Sequence, residues 1–305
     1  MLLEMTGCPS FHFAWENENF FERKTMIRIL FSDFDSTFGL HGRVSQENIR
    51  AVHRLHENGI DFALVSGRPE GNLERILQGY RIEGNYIGCN GAIGVLHGQG
   101  PVFVHSLQKD AVQDLIRLAQ QNHWFYLFYE LKACYLAGFP GRLLPYSPLS
   151  SILSHRYGMK IKFLPHLKGK EEELFPRLTK MNIYMGESNY QRLKEILDED
   201  PRIRATSSGK KKLEIMDRGI SKWMGISEMA KILGFSLEEV ATIGDFDNDI
   251  DMLENAPISF AVKNGSEGAK KAAKIQVKSC KEGGFAQACD FLIDWNQRHS
   301  QDECY

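Results

Sequence analysis

The chain has 305 residues, 43% of them hydrophobic and 25% charged, with a formal net charge of −2. That size allows one or two domains with full cores, and the near-neutral balance excludes a globally basic nucleic-acid binder or polybasic membrane protein. No apolar run approaches the ~20 residues that cross a bilayer; the six cysteines (Cys8, Cys89, Cys134, Cys280, Cys289, Cys304) contain no CxxC pair and read as reduced thiols of a cytoplasmic protein.

Residues 1–25 carry Glu, Asn and aromatics without clear periodicity and lack the basic start and apolar block of a signal peptide. They read as a loose extension, with Met26 a candidate start. An apolar run over 27–31 then reads as a buried strand that ends in Asp33 and Asp35. The helix that follows takes Ser45 as N-cap, sets Ile49, Val52, Leu55 and His56 on one face, and ends at Gly59. A second strand (IDFALVSG), a second helix (EGNLERILQG) and a third strand (NYIGCNG) complete a rhythm that predicts a parallel sheet covered on both faces.

From residue 92 the texture changes. A hairpin around Gly98–Pro101, a helix (KDAVQDLIRLAQQN), two aromatic strands, a Pro-rich connector, and then strand, helix, strand, strand predict an antiparallel α+β module over 92–216. The α/β rhythm resumes with a helix ending at Gly234, a strand running into GDFDND, the strand ISFAV and a closing helix. The expected fold is therefore α/β: a Rossmann-like, doubly wound core over 26–91 and 217–298, an inserted α+β cap domain over 92–216, and a tail over 299–305.

Reactive residues fall at the ends of three predicted strands: Asp33 and Asp35; Ser66, Gly67 and Arg68; Gly244 and Asp245, with Asn248 and Asp249. Ligands of open parallel sheets bind beyond the strands' carboxyl ends, so these groups are expected to converge. Crowded carboxylates repel unless one is protonated or a cation is bound. An all-oxygen donor set favours a hard ion such as Mg²⁺ over zinc. The acidic loop is no EF-hand, since Ile250 and Ala256 stand where that loop requires Gly and Glu. Neither GxxxxGK[ST] nor GxGxxG occurs.

DFDST after a strand, VSGRP after the next, ISK opening a helix and GDFDNDIDM after a later strand resemble the four motifs of the haloacid dehalogenase superfamily. The NGA at Asn90–Ala92, followed by a long insertion before Lys222, resembles its Cof-type branch, in which an α/β cap covers the core. The resemblance implies a Mg²⁺-dependent phosphatase in which Asp33 is the nucleophile, Asp35 the general acid and then base, and Lys222 the counter-charge. It further implies that Ser66, the Gly67 and Phe34 amides and Asn248 hold the phosphoryl group. Mg²⁺ would sit on the Asp33 side chain, the Asp35 carbonyl and Asp245, with Asp249 behind them or bound through water. The chain departs from the family pattern at Ser36, usually Gly, and Phe38, usually Leu.

Taken singly, each motif has a duller explanation: a turn carboxylate, a structural Ser-Gly turn, a solvated helix-start lysine. Together, at successive strand ends and in order, they point to one metal–phosphate site. The implied partner is a small phosphate ester, such as a sugar phosphate or phosphorylated cofactor precursor, with no nucleic acid or membrane and a monomeric or small homo-oligomeric protein. A phosphomannomutase-like phosphomutase and a catalytically impaired binding or regulatory protein are the alternatives. The aromatics Phe125, Tyr126, Phe128 and Tyr129 read as sheet core. Arg142, Tyr157 and Lys160 are candidates to reach substrate, and His53 and His56 read as helix-face residues.

Overall fold

The computed structural model describes residues 25–137, 154, 158–163, 169–207 and 212–302. Arg142, Tyr157, the Pro-rich connector and nearly all of the N-terminal extension lie outside these residues.

In chain order, β1 (Ile29–Ser32) is followed by a small hairpin, β2 (Gly39–Leu40) with β3 (Arg43–Val44), then by β4 (Asp61–Val65) and β5 (Asn85–Gly88). β6 (Ile93–Leu96) and β7 (Gly100–Val104) come next. A second group comprises β8 (Phe125–Glu130), β9 (Ala133–Ala137), β10 (Lys160–Phe163), β11 (Lys180–Tyr184), β12 (Ile203–Thr206) and β13 (Lys212–Asp217). The chain returns through β14 (Val240–Gly244), β15 (Ile258–Val262) and β16 (Ile275–Val277).

The larger sheet has the order β16-β15-β14-β1-β4-β5-β6-β7, parallel from β16 to β5. β1 lies inside it and is buried at all four positions. Alternation along β1 assigns its side chains to two cores. Leu30 packs with Val52, Leu55 and Phe285 from the helices Gln46–Glu57 and Gly284–Asp302. Ile29 and Phe31 pack with Ile226, Met229 and Leu253 from Lys222–Leu233 and Ile250–Asn255. The doubly wound core expected from the strand–helix rhythm is thus present, with both faces covered.

The helix starts follow local chemistry. Ser45 Oγ accepts from the Asn48 amide at 3.1 Å, and Ser221 Oγ from the Met224 amide at 3.2 Å, capping the helices that begin at Gln46 and Lys222. Gly234 ends the latter helix in the left-handed conformation at φ 76°. On the Gln46–Glu57 helix Ile49, Val52 and Leu55 are buried, His56 is half-buried and His53 exposed.

The hairpin expected at the start of the insertion forms, but β6 and β7 pair antiparallel onto β5 and extend the larger sheet. The second sheet begins only at β8, in the order β10-β9-β8-β11-β13-β12. All its pairings are antiparallel except β10 with β9. Its aromatic strand is not uniformly core. Tyr126 and Phe128 point under the helix Lys109–Gln121, whereas Leu127 and Tyr129 face the cavity between the sheets. The period of two in a strand, which a run of similar aromatics conceals, makes that division.

Phe38 fills the space between sheet and helices, fully buried against Phe285 at 4.7 Å and Phe62 at 5.1 Å between ring centroids. Phe38→Ala is expected to cost about 3–5 kcal/mol of stability, read from the midpoint of urea unfolding.

Candidate active site

Three neighbouring strands supply the site. β14, β1 and β4 lie side by side, so Asp245, Asp33 and Ser66, each one residue past its strand, emerge along one edge of the sheet. Strands in a sheet stand about 4.8 Å apart, which brings together residues 33 and 245 although some 200 positions separate them.

Lys222 is the first residue of its helix, and helical side chains lean toward the N-terminus. Its ammonium therefore reaches back to the strand ends, donating to Asp33 Oδ1 at 2.6 Å and to Asp249 Oδ1 at 2.5 Å. Asp249 Oδ2 accepts from the Asp245 and Phe246 amides at 2.9 and 3.0 Å, which fixes the acidic loop. That closeness requires Gly244: a Cβ there would lie 2.7 Å from Asp249 Cβ. Thr37 Oγ1 donates to Asp245 Oδ1 at 3.2 Å. Asp33, Asp245, Asp249 and Lys222 are all buried.

Asp35 stands apart from this cluster. Its carboxylate is half exposed, and both oxygens are held by Arg68, from Nε at 2.7 Å and a terminal guanidinium nitrogen at 2.6 Å. The same guanidinium donates to Asn72 Oδ1 and lies 4.7 Å over the Phe34 ring. Ser36 adopts φ 63°, the left-handed region that favours glycine, and its carbonyl accepts from Asn264 Nδ2 at 3.0 Å. Ser66, Gly67 and Asn248 line the same cavity as Asp33, and Phe34 is buried beside it. Lys160 is exposed and does not line that cavity.

Several partners carry no motif of their own. Asn248 Nδ2 donates to Asn90 Oδ1 at 3.2 Å, and Asn90 Nδ2 donates to Glu214 Oε2 at 2.9 Å, which links the acidic loop to the second sheet. Lys180 donates to the Gly67 carbonyl and to Glu214 at 3.2 Å. Only the NGA turn hinted at any of these.

A family model described as haloacid dehalogenase-like hydrolase matches residues 30–289. The chain belongs to the haloacid dehalogenase-like hydrolases. YxeH of Bacillus subtilis (strain 168) is 28% identical over 275 residues, 88% of this chain and 99% of that protein. The 5-amino-6-(5-phospho-D-ribitylamino)uracil phosphatase YwtE of the same strain is 25% identical over 275 residues, 82% of this chain and 92% of that one. A solved haloacid dehalogenase-like hydrolase from B. subtilis shares the fold, with a TM-score of 0.74 at 21% identity over 87% of this chain and 99% of the other.

In this hydrolase the electrostatics fit a cation. The ligand oxygens of Asp33, Asp245 and Asp249 lie within 4.8 Å of one another. One ammonium against three carboxylates leaves negative charge uncompensated in a buried place. Burial, with Asp249 next, pushes the Asp245 carboxyl up to about 7. Burial likewise raises Asp33 well above the carboxylate range, although Lys222 opposes it. An all-oxygen, electron-rich set of this kind suits a hard divalent ion.

A carboxyl whose pKa rises on folding holds its proton longer in the native state. Between the ordinary value of 3.8 and about 7 the folded chain binds more protons, so stability falls as pH rises through that window. Thermal melting without divalent ions is expected to show a falling midpoint from about pH 5 to about pH 7.5. Added Mg²⁺ is expected to raise the midpoint most at the upper end.

Proposed function

We propose that the chain, a phosphatase of this family, hydrolyses a small phosphomonoester through an aspartyl-phosphate on Asp33, with Mg²⁺ as cofactor. One observation carries the reading: Asp33 accepts from the Lys222 ammonium, lies within 4.8 Å of the Asp245 carboxylate and lines a cavity of about 830 Å³. That volume is ample for a metabolite-sized ester.

Asp33, Asp245 and the Asp35 carbonyl would hold the ion, with Asp249 steadying the loop; bound there, it neutralises carboxylate and phosphoryl oxygens. Asp33 Oδ attacks phosphorus as the ester oxygen leaves, and Asp35 gives that oxygen its proton. Water then attacks the acyl phosphate and passes a proton to Asp35, releasing inorganic phosphate and restoring the Asp33 carboxylate. Lys222 offsets charge throughout, while Ser66, the Gly67 and Phe34 amides and Asn248 orient the phosphoryl oxygens; positioning and electrostatics supply most of the catalysis. For Asp35 to reach the leaving oxygen, its pairing with Arg68 must loosen as substrate enters.

In this reading the segment from β8 to β13 is a cap seated on the core, excluding bulk water while the first step proceeds. Buried, unbridged Cys89, Cys134 and Cys289 support a cytoplasmic setting, and among the described residues no helix is long and apolar enough to cross a membrane.

Asp33→Asn is expected to abolish hydrolysis and ³²P labelling of the protein while leaving the melting profile cooperative. Asp35→Asn is expected to lower kcat about 10²–10⁴-fold, more for an alkyl than for a nitrophenyl leaving group. Asp245→Ala is expected to raise the Mg²⁺ concentration required for half-maximal rate; unchanged Mg²⁺ dependence would remove Asp245 from the metal site.

A further inference from the structure

The cavity above Asp33 has two unlike halves, and the second sheet creates them. Side chains two apart along each strand share a face. β11 turns Lys180 and Asn182 toward the cavity, and its neighbour β13 turns Lys212 and Glu214 there. On the other side of β11, the strands β8, β9 and β10 turn Leu127, Leu136 and Ile161 to the same space. One half is charged and hydrogen-bonding; the other is mainly apolar, with Tyr129 and Cys134 also in its lining.

The charged half is internally paired. Glu214 receives Lys180, Lys212 at 2.5 Å and Asn90, and Lys180 also holds the Gly67 carbonyl. Asn182 is different. It is 2% exposed, its Nδ2 makes only a long 3.4 Å bond to Tyr129 Oη, and its Oδ1 has no partner. Turning the amide over would exchange the two atoms and still leave one of them unpaired. A buried amide oxygen without a donor destabilises the fold, and a ligand that brings the donor removes that cost.

We infer, on the basis of the phosphatase reading above, that the substrate is a monoester whose leaving group carries a planar heterocycle with an N–H donor. The N–H meets Asn182 Oδ1, and the ring lies across Leu127, Leu136 and Ile161. A bare sugar phosphate fits this surface poorly: its hydroxyls would lose water against three apolar side chains that offer no replacement bonds. A ring with a polar edge and apolar faces matches both halves at once. Phe246, 37% exposed at the cavity between Asp245 and Asp247, adds another apolar surface for such a ring.

The test compares kcat/KM with Mg²⁺ for p-nitrophenyl phosphate, hexose and pentose phosphates, and two kinds of heterocycle-bearing monoester, FMN and nucleoside 5′-monophosphates. At least one N–H-bearing heterocyclic ester is expected to exceed every sugar phosphate by about tenfold or more. Asn182→Ala, checked for folding by thermal melting, is expected to reduce that preference about 3- to 10-fold, chiefly through KM. Sugar phosphates that match or exceed the heterocyclic esters would overturn the inference while leaving the phosphatase reading intact. An undiminished preference in the folded variant would do the same. If Asn182→Ala does not fold, the wild-type comparison decides alone. Failure to hydrolyse any ester, p-nitrophenyl phosphate included, would overturn both readings.

Discussion

The site depends on one buried ammonium. Lys222, 1% exposed, lies between the Asp33 and Asp249 carboxylates, which are themselves buried. Any one of these charges alone would be expensive to remove from water, and their mutual pairing is what makes the burial tolerable. Burial lowers the affinity of Lys222 for its proton, yet Asp249 and Asp33 more than reverse that effect and keep the ammonium charged. The pairing ties the start of a helix to the end of β1 and to the acidic loop after β14. Three distant stretches of chain thus become one rigid floor.

The sheet order turns that floor into a site. With β1 flanked by β14 and β4, the residues just past three strands share an edge, and the helices pack elsewhere, on the two faces. In the proposed reading, the backbone amides after β1 and β4 and the carboxylates after β1 and β14 act on one phosphoryl group. Burial first, and the neighbouring carboxylates after it, raise the proton affinity of Asp33 and Asp245.

The second sheet follows a different rule. Its helix-covered face carries the apolar cluster of Tyr126, Phe128, Met181, Ile183, Leu213 and Ile215, with the buried Glu130 accepting from Tyr135 Oη at its margin. Its other face grades from Ile161 and Leu136 to Glu214 and Lys212, a pattern that packing alone does not require. The polar end is bonded to the core through Lys180 with Gly67 and Glu214 with Asn90, so the floor and roof of the cavity are joined by hydrogen bonds at one side. Charge thus lies at that seam, and apolar side chains line the cavity farther along.

Local chemistry was legible along the chain. The Ser45 and Ser221 caps, the Gly234 stop, the buried run of β1 and the acidic strand ends follow from rules that operate within a few residues. The order of motifs was therefore enough to anticipate the doubly wound core and the meeting of Asp33, Lys222 and Asp245. Contacts set by strand neighbours were not legible. That β6 and β7 join the larger sheet depends on which edge accepts them. The division of Phe125–Glu130 between core and cavity depends on which face the helices cover. The Arg68 fork on Asp35, the Asn248–Asn90–Glu214 link and the unpaired oxygen of Asn182 arise between residues remote in sequence. Spacing along a chain carries local geometry, whereas the pairing of distant side chains exists only once the sheets are stacked.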